Sequence, residues 1–386
     1  MHGMAYDVIV IGAGPAGSAA AHACAKSGLS TLCIEEHGTV GYPVQCAGLL
    51  SNAAFAECGV SDCSVLNTVQ GARVVSGKGS SVLLDAHQKK ASVVDRGMLD
   101  REMAEVAACA GVEYQLKTSV YGIRDGEVLT RGGFGHRQYA FKILIAADGP
   151  RSTIARMYGM QRAQTFLSGV QADMVLDCDP RFVELFPDAS PDFFGWMIPT
   201  GSGRVRVGLC GKERVPERFR EFVHRIGGDS SVHLVTGTLP LGVMPVTYGR
   251  RTLFVGDAGG FAKPTSGGGV YTGIRSARHA ADIAVSACEL DRYDDSFLSG
   301  YEQRWQADIG RELALGYRLF RMRQNLSPED IDGMIRAFGD KDILDAIVRY
   351  GDMDRPGKLF GMLLKKPALL RWLSPLLASG IRSLLG

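Results

Sequence analysis

The residues with the clearest chemical potential are Gly12, Gly14 and Gly17, set in the run GAGPAG with Pro15 and Ala16. The G-x-G-x-x-G spacing suits a strand-to-helix turn that brings backbone against a pyrophosphate. The first glycine makes the turn, the second lets phosphate approach, and the third lets helix and strand pack closely. Phosphates then rest on the unpaired N–H groups and the positive end of the helix. Glu35 follows at about 20 residues, where an acid accepts hydrogen bonds from a ribose hydroxyl. Glu36 beside it is the alternative acid, or a solvated strand end. The competing reading is a tight glycine turn in an ordinary α/β unit.

The elements around the motif favour the dinucleotide reading. Tyr6 to Ile11 is a β-branched apolar run of the kind found in buried parallel strands. Ser18 to Ser27 is Ala-rich with helical character, Gly28 ends it, and Thr31 to Ile34 begins a second strand that finishes at Glu35. Strand, turn, helix, strand and acid therefore occur in the required order.

Three further segments point to FAD. In VVDRGMLDREM (93–103), Arg96, Leu99 and Asp100 form the R-x-x-L-D pattern of flavin hydroxylases and reductases. An Arg at a helix start is suited to a second clamp on the pyrophosphate, or is simply solvated there. In ILIAADGPRS (143–152), an apolar strand ends at Ala147-Asp148-Gly149 before a helix; the Asp is expected to orient backbone rather than to do chemistry. In RTLFVGDAGGFAKPTSGGGVYTGIRSA (251–277), a strand ends at Gly256-Asp257, whose carboxylate can reach the ribityl chain. Gly267-Gly268-Gly269 then leads into a helix from about Val270. Bare N–H groups there would face the flavin edge on which negative charge gathers upon reduction. No second G-x-G-x-x-G is present, so an external donor is expected to bring electrons: a nicotinamide coenzyme, a deazaflavin or a ferredoxin-like carrier.

Cys46 stands in a Gly/Pro-flanked loop, YPVQCAG (42–48), with Ala47 and Gly48 as expected cofactor neighbours. Its thiol has two readings, a proton donor or flavin tuner on one side and an inert small hydrophobe on the other. Strand-like runs at Gly169–Leu176, Phe194–Ile198 and Val205–Cys210 follow, the last two joined by a Gly-rich hairpin. Phe194, Trp196, Ile198 and Pro199 would line an apolar pocket over the flavin, or else be core.

GAGPAG, RGMLD, ADGPRS and GDAGG in that order resemble flavoproteins of the glutathione-reductase type, in the p-hydroxybenzoate hydroxylase branch. PDFFGWMIP (191–199) resembles the P-x-x-Y-x-W-x-F-P motif of geranylgeranyl reductases, and YPVQCAG and GDAGGFAKPTSGGG are also similar to that family. The resemblance runs to about residue 310. It implies reduction of isoprenoid double bonds, in archaeal members those of digeranylgeranylglycerol phospholipids, and raises Cys46 as a functional residue. The motif's Tyr is Phe194 here and its second aromatic is Ile198, so a role needing the phenol is not carried over; shaping an apolar wall is. The alternatives are a flavin monooxygenase and a non-catalytic lipid-binding flavoprotein.

The expected architecture is α/β: a Rossmann FAD-binding domain (1–40, 90–160, 246–290), an interleaved antiparallel-sheet substrate domain (41–89, 161–245) and a helical C-terminal region (291–386). With 386 residues, 46% apolar, the chain can build such cores, and a net charge of +2 with mixed signs points away from nucleic acid. Nine scattered cysteines without a C-x-x-C pair, and an N-terminus lacking a secretory pattern, suggest a reducing cytoplasm. No metal and no spanning helix are expected. The stretch 359–386, apolar and basic with Lys365, Lys366 and Arg371, reads either as helices closing a substrate tunnel or as an interfacial helix on the cytoplasmic membrane face.

Overall fold

The structure is a computed structural model that describes residues 4–363 apart from residues 125, 134, 202 and 230. The tail stretch with Lys365, Lys366 and Arg371 lies outside the described residues.

The chain opens with β1 (Met4–Ile11), α1 (Pro15–Lys26) and β2 (Thr31–Ile34). A first excursion comprises β3 (Leu49–Ser51), α2 (Asn52–Cys58), β4 (Val65–Val69), β5 (Gly71–Val75), β6 (Ser81–Asp85) and β7 (Ala91–Val94). The chain returns through α3 (Arg96–Cys109), β8 (Glu113–Gln115), β9 (Thr118–Arg124), β10 (Glu127–Gly132), β11 (Gly135–Ala146) and α4 (Thr153–Met157). A second excursion follows with β12 (Thr165–Val175), β13 (Phe182–Phe186), β14 (Gly195–Gly201), β15 (Arg204–Gly211), α5 (Val215–Arg225) and β16 (Ser231–Leu241). Then come β17 (Tyr248–Gly249), β18 (Thr252–Phe254) and α6 (Val270–Leu290). The described chain ends in α7 (Asp295–Trp305), a π-helical segment (Gln306–Gly310), α8 (Arg311–Arg323), α9 (Pro328–Phe338), α10 (Lys341–Tyr350) and α11 (Gly357–Leu363).

The nucleotide-type sheet runs β17-β18-β11-β1-β2-β8, with β10 and β9 attached to β11. β1 is parallel to both neighbours and apolar on both faces, which is why its run is continuous rather than alternating. Val8, Val10, Cys33, Ile143, Ile145 and Leu253 bury against α1, α3 and α6. Ile9, Ile11, Leu32, Ile34, Leu144 and Phe254 fill a second core on the opposite face, with α4 and the β9–β10 hairpin.

The second sheet has the order β16-β12-β15-β14-β13-β5-β6. Its β14–β15 hairpin is the Gly-rich connection expected from sequence, pairing Trp196 with Gly208 and Met197 with Val207. Side-chain alternation splits the strands between two faces. Met197, Val205, Val207 and Leu209 bury under Phe219 and Phe222 of α5, while Phe194, Trp196 and Ile198 face the other way. The parallel β5–β13 pair, Phe182 opposite Gly71, splices the two excursions into one sheet. A small sheet, β3-β7-β4, sits beside them.

Candidate functional site

Helices α1 and α6, which open on Gly14 and Gly269 after a turn, carry no side-chain cap at their N-termini. By contrast, α2, α3, α4, α7, α9 and α10 are each capped by a Ser or Asp side chain. The bare starts of α1 and α6 adjoin: a Cβ on Gly256 would lie 2.9 Å from Cβ of Ala16, and one on Gly273 3.5 Å from it. Unpaired N–H groups and two positive helix ends thus converge, an arrangement suited to an anionic, hydrogen-bond-accepting ligand.

Around this cradle the backbone is closely packed. A Cβ on Gly17 would sit 1.8 Å from the Gly12 carbonyl oxygen, and one on Gly12 2.4 Å from that of Ala147. Gly12 itself has φ +97°, a conformation that disfavours side chains. Gly14 differs, because nothing lies within 4 Å of where its Cβ would be. The protein does not need glycine there, whereas an approaching phosphate would.

Glu35 is buried at the end of β2. One carboxylate oxygen accepts from the Ala13 N–H at 2.8 Å, and the other from the N–H of His37 at 2.9 Å, with His37 Nδ1 at 2.7 Å. A carboxylate has about four acceptor positions, so room for a ribose hydroxyl remains. Glu36 is exposed, on the solvated side of the turn.

Two carboxylates have unused capacity. Asp148 Oδ2 accepts from Thr153 N–H (2.7 Å), Thr153 Oγ1 (3.0 Å) and Ile154 N–H (3.1 Å), organising the start of α4. Its Oδ1 is buried without a hydrogen-bond partner among the described residues. The Asp257 carboxylate accepts no hydrogen bond from any described side chain or backbone group, and a Cβ on Gly269 would meet its Oδ1 at 2.9 Å. Burial pushes the Asp257 carboxyl up to about 6, with Arg96 pulling it the other way. The cradle, the open space at Gly14 and these two oxygens fit a flavin dinucleotide, for which α1 would take the pyrophosphate, Glu35 a ribose, Asp257 the ribityl hydroxyls, and Gly268, Gly269 and Val270 the pyrimidine edge.

Cys46 lies half-buried in a loop folded onto the start of α3. A Cβ on Gly41 would lie 3.0 Å from Gly97 Cα, and Gly48 N–H donates to Cys46 Sγ at 3.4 Å. The Arg96 guanidinium pairs with Asp100 through Nε and Nη2, at 2.9 and 3.0 Å. Burial disfavours its charge, but Asp100, with Cys46 next to it, outweighs that and holds it firmly protonated. The structure therefore places Arg96 electrostatically between Cys46, Asp100 and Asp257.

The aromatic residues continue from the glycine turn. A Cβ on Gly267 would contact Leu239 at 3.1 Å and the Phe193 ring at 3.4 Å. Phe193 stacks on Phe194 at 4.4 Å, and Phe194 meets Trp196 edge-on at 6.1 Å. Trp196 Nε1 donates to Gln171 Oε1 at 3.3 Å. Ile198 packs with Ala47 and Leu49 beyond the Cys46 loop. Pro199, one step out of that alternation, is buried opposite Val205.

Two positions escaped the sequence reading. Arg206 Nη1 donates to the carbonyls of Ala47 and Val94, both at 3.0 Å, fastening the Cys46 loop to β7. Arg204 has the same strand parity and is exposed, so alternation does not single out Arg206. Lys263, inside the glycine-rich run, is buried and paired with Asp354 at 2.5 Å. A Lys in so apolar a segment was a readable signal; its partner, 91 residues away, was not.

Residues 5–227 match the FAD binding domain family. The chain is 32% identical over 361 residues to digeranylgeranylglycerophospholipid reductase 2 of Methanothermobacter thermautotrophicus, covering 88% of this chain and 93% of that protein. It is 30% identical over 394 residues to digeranylgeranylglycerophospholipid reductase of Methanocaldococcus jannaschii, covering 96% and 98%. Its fold matches a geranylgeranyl bacteriochlorophyll reductase-like protein from Thermoplasma acidophilum with TM-score 0.87 at 24% identity, over 97% and 99% of the two chains. Among the described residues no helix is long and apolar enough to cross a membrane. The chain belongs to the geranylgeranyl reductase family of FAD-dependent oxidoreductases.

Proposed function

We propose that this protein saturates carbon–carbon double bonds in the geranylgeranyl chains of a digeranylgeranylglycerophospholipid, with Cys46 as the proton source. The observation that carries this reading is the convergence of the Cys46 loop, the Gly267–Gly269 turn and the Phe193–Phe194–Trp196 aromatic run around one cofactor cradle. Named relatives act on that lipid class.

Reduced FAD, when bound, supplies hydride to one carbon of the alkene. The chain's own residues supply the rest. Cys46 Sγ donates its proton to the other carbon and recovers one from water before the next cycle. No carbonyl activates an isoprenoid double bond, so cationic character develops at its more substituted carbon. Phe194 and Trp196, backed by the buried Ile198, present apolar surface that positions the chain and excludes water that would trap such a centre. An external donor reloads the flavin, and the lipid is met by peripheral contact with the cytoplasmic membrane face.

Anaerobic incubation of the dithionite-reduced protein with digeranylgeranylglycerophospholipid, followed by lipid mass spectrometry, tests the reading. Two hydrogens gained per double bond support it. Oxygen consumption with hydroxylated product would instead indicate a monooxygenase, and a flavin that no prenyl lipid reoxidises would leave only lipid binding. Cys46→Ala, with FAD retained, is expected to lower turnover at least about 100-fold; turnover equal to wild type removes Cys46 from the mechanism.

A further inference from the structure

A single carboxylate from the C-terminal region reaches both halves of the site. Asp354 is 4% exposed, and its two oxygens are divided between distant partners. Oδ1 takes the Lys263 ammonium at 2.5 Å, and Oδ2 accepts from the Ser51 hydroxyl. Lys263 lies five residues before Gly268, and Ser51 five residues after Cys46. The contacts span 91 and 303 residues of chain.

Each partner is structurally committed to its own loop. The Lys263 N–H donates to the Gly268 carbonyl at 3.1 Å, and its carbonyl accepts from the Gly267 N–H at 2.8 Å, so residue 263 is the hub of the glycine turn. Ser51 closes β3, directly after the Cys46–Gly48 stretch, and its Oγ also accepts from the Ala54 N–H to cap α2. Asp354 is held in place in turn. Asp352 Oδ1 accepts from the N–H groups of Asp354 (2.7 Å) and Arg355 (3.0 Å), and Arg355 donates to Tyr271 Oη in the first turn of α6 at 3.2 Å.

A buried ion pair is a weak source of stability, since desolvation offsets most of the attraction. Its value lies in geometry: buried charges tolerate few alternative arrangements. We propose that Asp354 is a positioning residue that holds the Cys46 loop and the Gly267–Gly269 turn in register, so that proton source and cofactor address the same double bond. The proposal rests on Cys46 being the proton source, and it assigns Asp354 no contact with the substrate.

The test uses FAD-loaded protein carrying Asp354→Asn, and separately the double substitution Lys263→Met/Asp354→Leu, which removes both buried charges at similar volume. Iodoacetamide labelling resolved by peptide mass spectrometry reads the Cys46 loop, with the exposed Cys63 and Cys109 as internal references. In both variants Cys46 is expected to label several-fold faster while the references are unchanged, and kcat to fall about 10- to 100-fold with KM little altered. The double variant is expected to keep a Tm near wild type, which separates positioning from folding. Cys46 labelling at the wild-type rate in the double variant overturns the proposal. Labelling needs no turnover, so a protein that reduces no prenyl lipid refutes the reading of function without altering this outcome.

Discussion

The two glycine turns that frame the cofactor cradle are built in different ways. At Gly12–Gly17, the atoms that forbid a side chain are backbone: the Gly12 carbonyl at 1.8 Å and the Ala147 carbonyl at 2.4 Å. At Gly267–Gly269, they are side chains: Leu239 and Phe193, the Lys263 methylenes at 3.1 Å, and Asp257. The first turn is shaped by strand, helix and neighbouring strand, elements laid down within the same βαβ sheet. The second is held from outside by Lys263 and, through it, by the C-terminal segment. A turn locked by backbone is rigid whatever its surroundings, whereas one locked by side chains depends on residues elsewhere in the chain.

Substitutions at the first turn should be the most damaging. Gly17→Ala drives a Cβ into a carbonyl that cannot move without breaking the strand-to-helix turn, and we expect a loss of more than about 3 kcal/mol. Thermal unfolding and flavin absorbance of the purified variant check this; wild-type Tm with full flavin would show the turn to be as yielding as the second one. Gly14→Ala sharpens the contrast within the same motif. With φ −67° and open space at its Cβ, it should change Tm little while weakening FAD retention about tenfold or more, measured as flavin per chain after dialysis.

Asp257 gives an effect of intermediate size that depends on pH. Its carboxyl is lifted from 3.8 to about 6 in the folded chain, so between those values the folded state keeps a proton that the unfolded state has released. Stability from this group is therefore present below pH 3.8 and is lost as pH rises through about 6. In FAD-free protein, the Tm advantage of wild type over Asp257→Asn should decline across that window and level off above it. A difference that does not vary with pH would mean the carboxyl is not desolvated. Least of all, Gly268→Ala should cost less than about 1 kcal/mol, because its Cβ would meet the Lys263 methylene at 3.1 Å, a contact relieved by a few tenths of an ångström without breaking the pair with Asp354. A loss as large as that of Gly17→Ala would erase the distinction between the turns.

Legibility in the sequence follows the same divide. Tyr6–Ile11, GAGPAG and Glu35 announced a strand, a turn, a helix and an acid, and the structure has all four, with the helix beginning at Pro15 rather than Ser18. The start of α6 at Val270 and the β14–β15 hairpin were equally readable, since glycine and strand alternation are local signals. Arg96 is largely buried rather than solvated, and the R-x-x-L-D spacing that marked it also sets Arg and Asp four apart on a helix, where its Nε and Nη2 pair with Asp100. Within the expected helical C-terminal region, a π segment at Gln306–Gly310 separates α7 from α8, which helical character alone does not disclose. The parallel β5–β13 pair and the Asp354 contacts left no mark in either segment.

What the sequence by itself determined is the nucleotide-binding half: covalent neighbours and backbone sterics decide where a chain can turn tightly, and only glycine satisfies them. Tertiary structure alone decided how Cys46, Arg96 and the second glycine turn come together. The loops carrying Cys46 and that turn are tied through Asp354, whose contact with Ser51 joins segments 303 residues apart, and such a contact is selected by the packing of the whole molecule rather than by the residues adjacent to it.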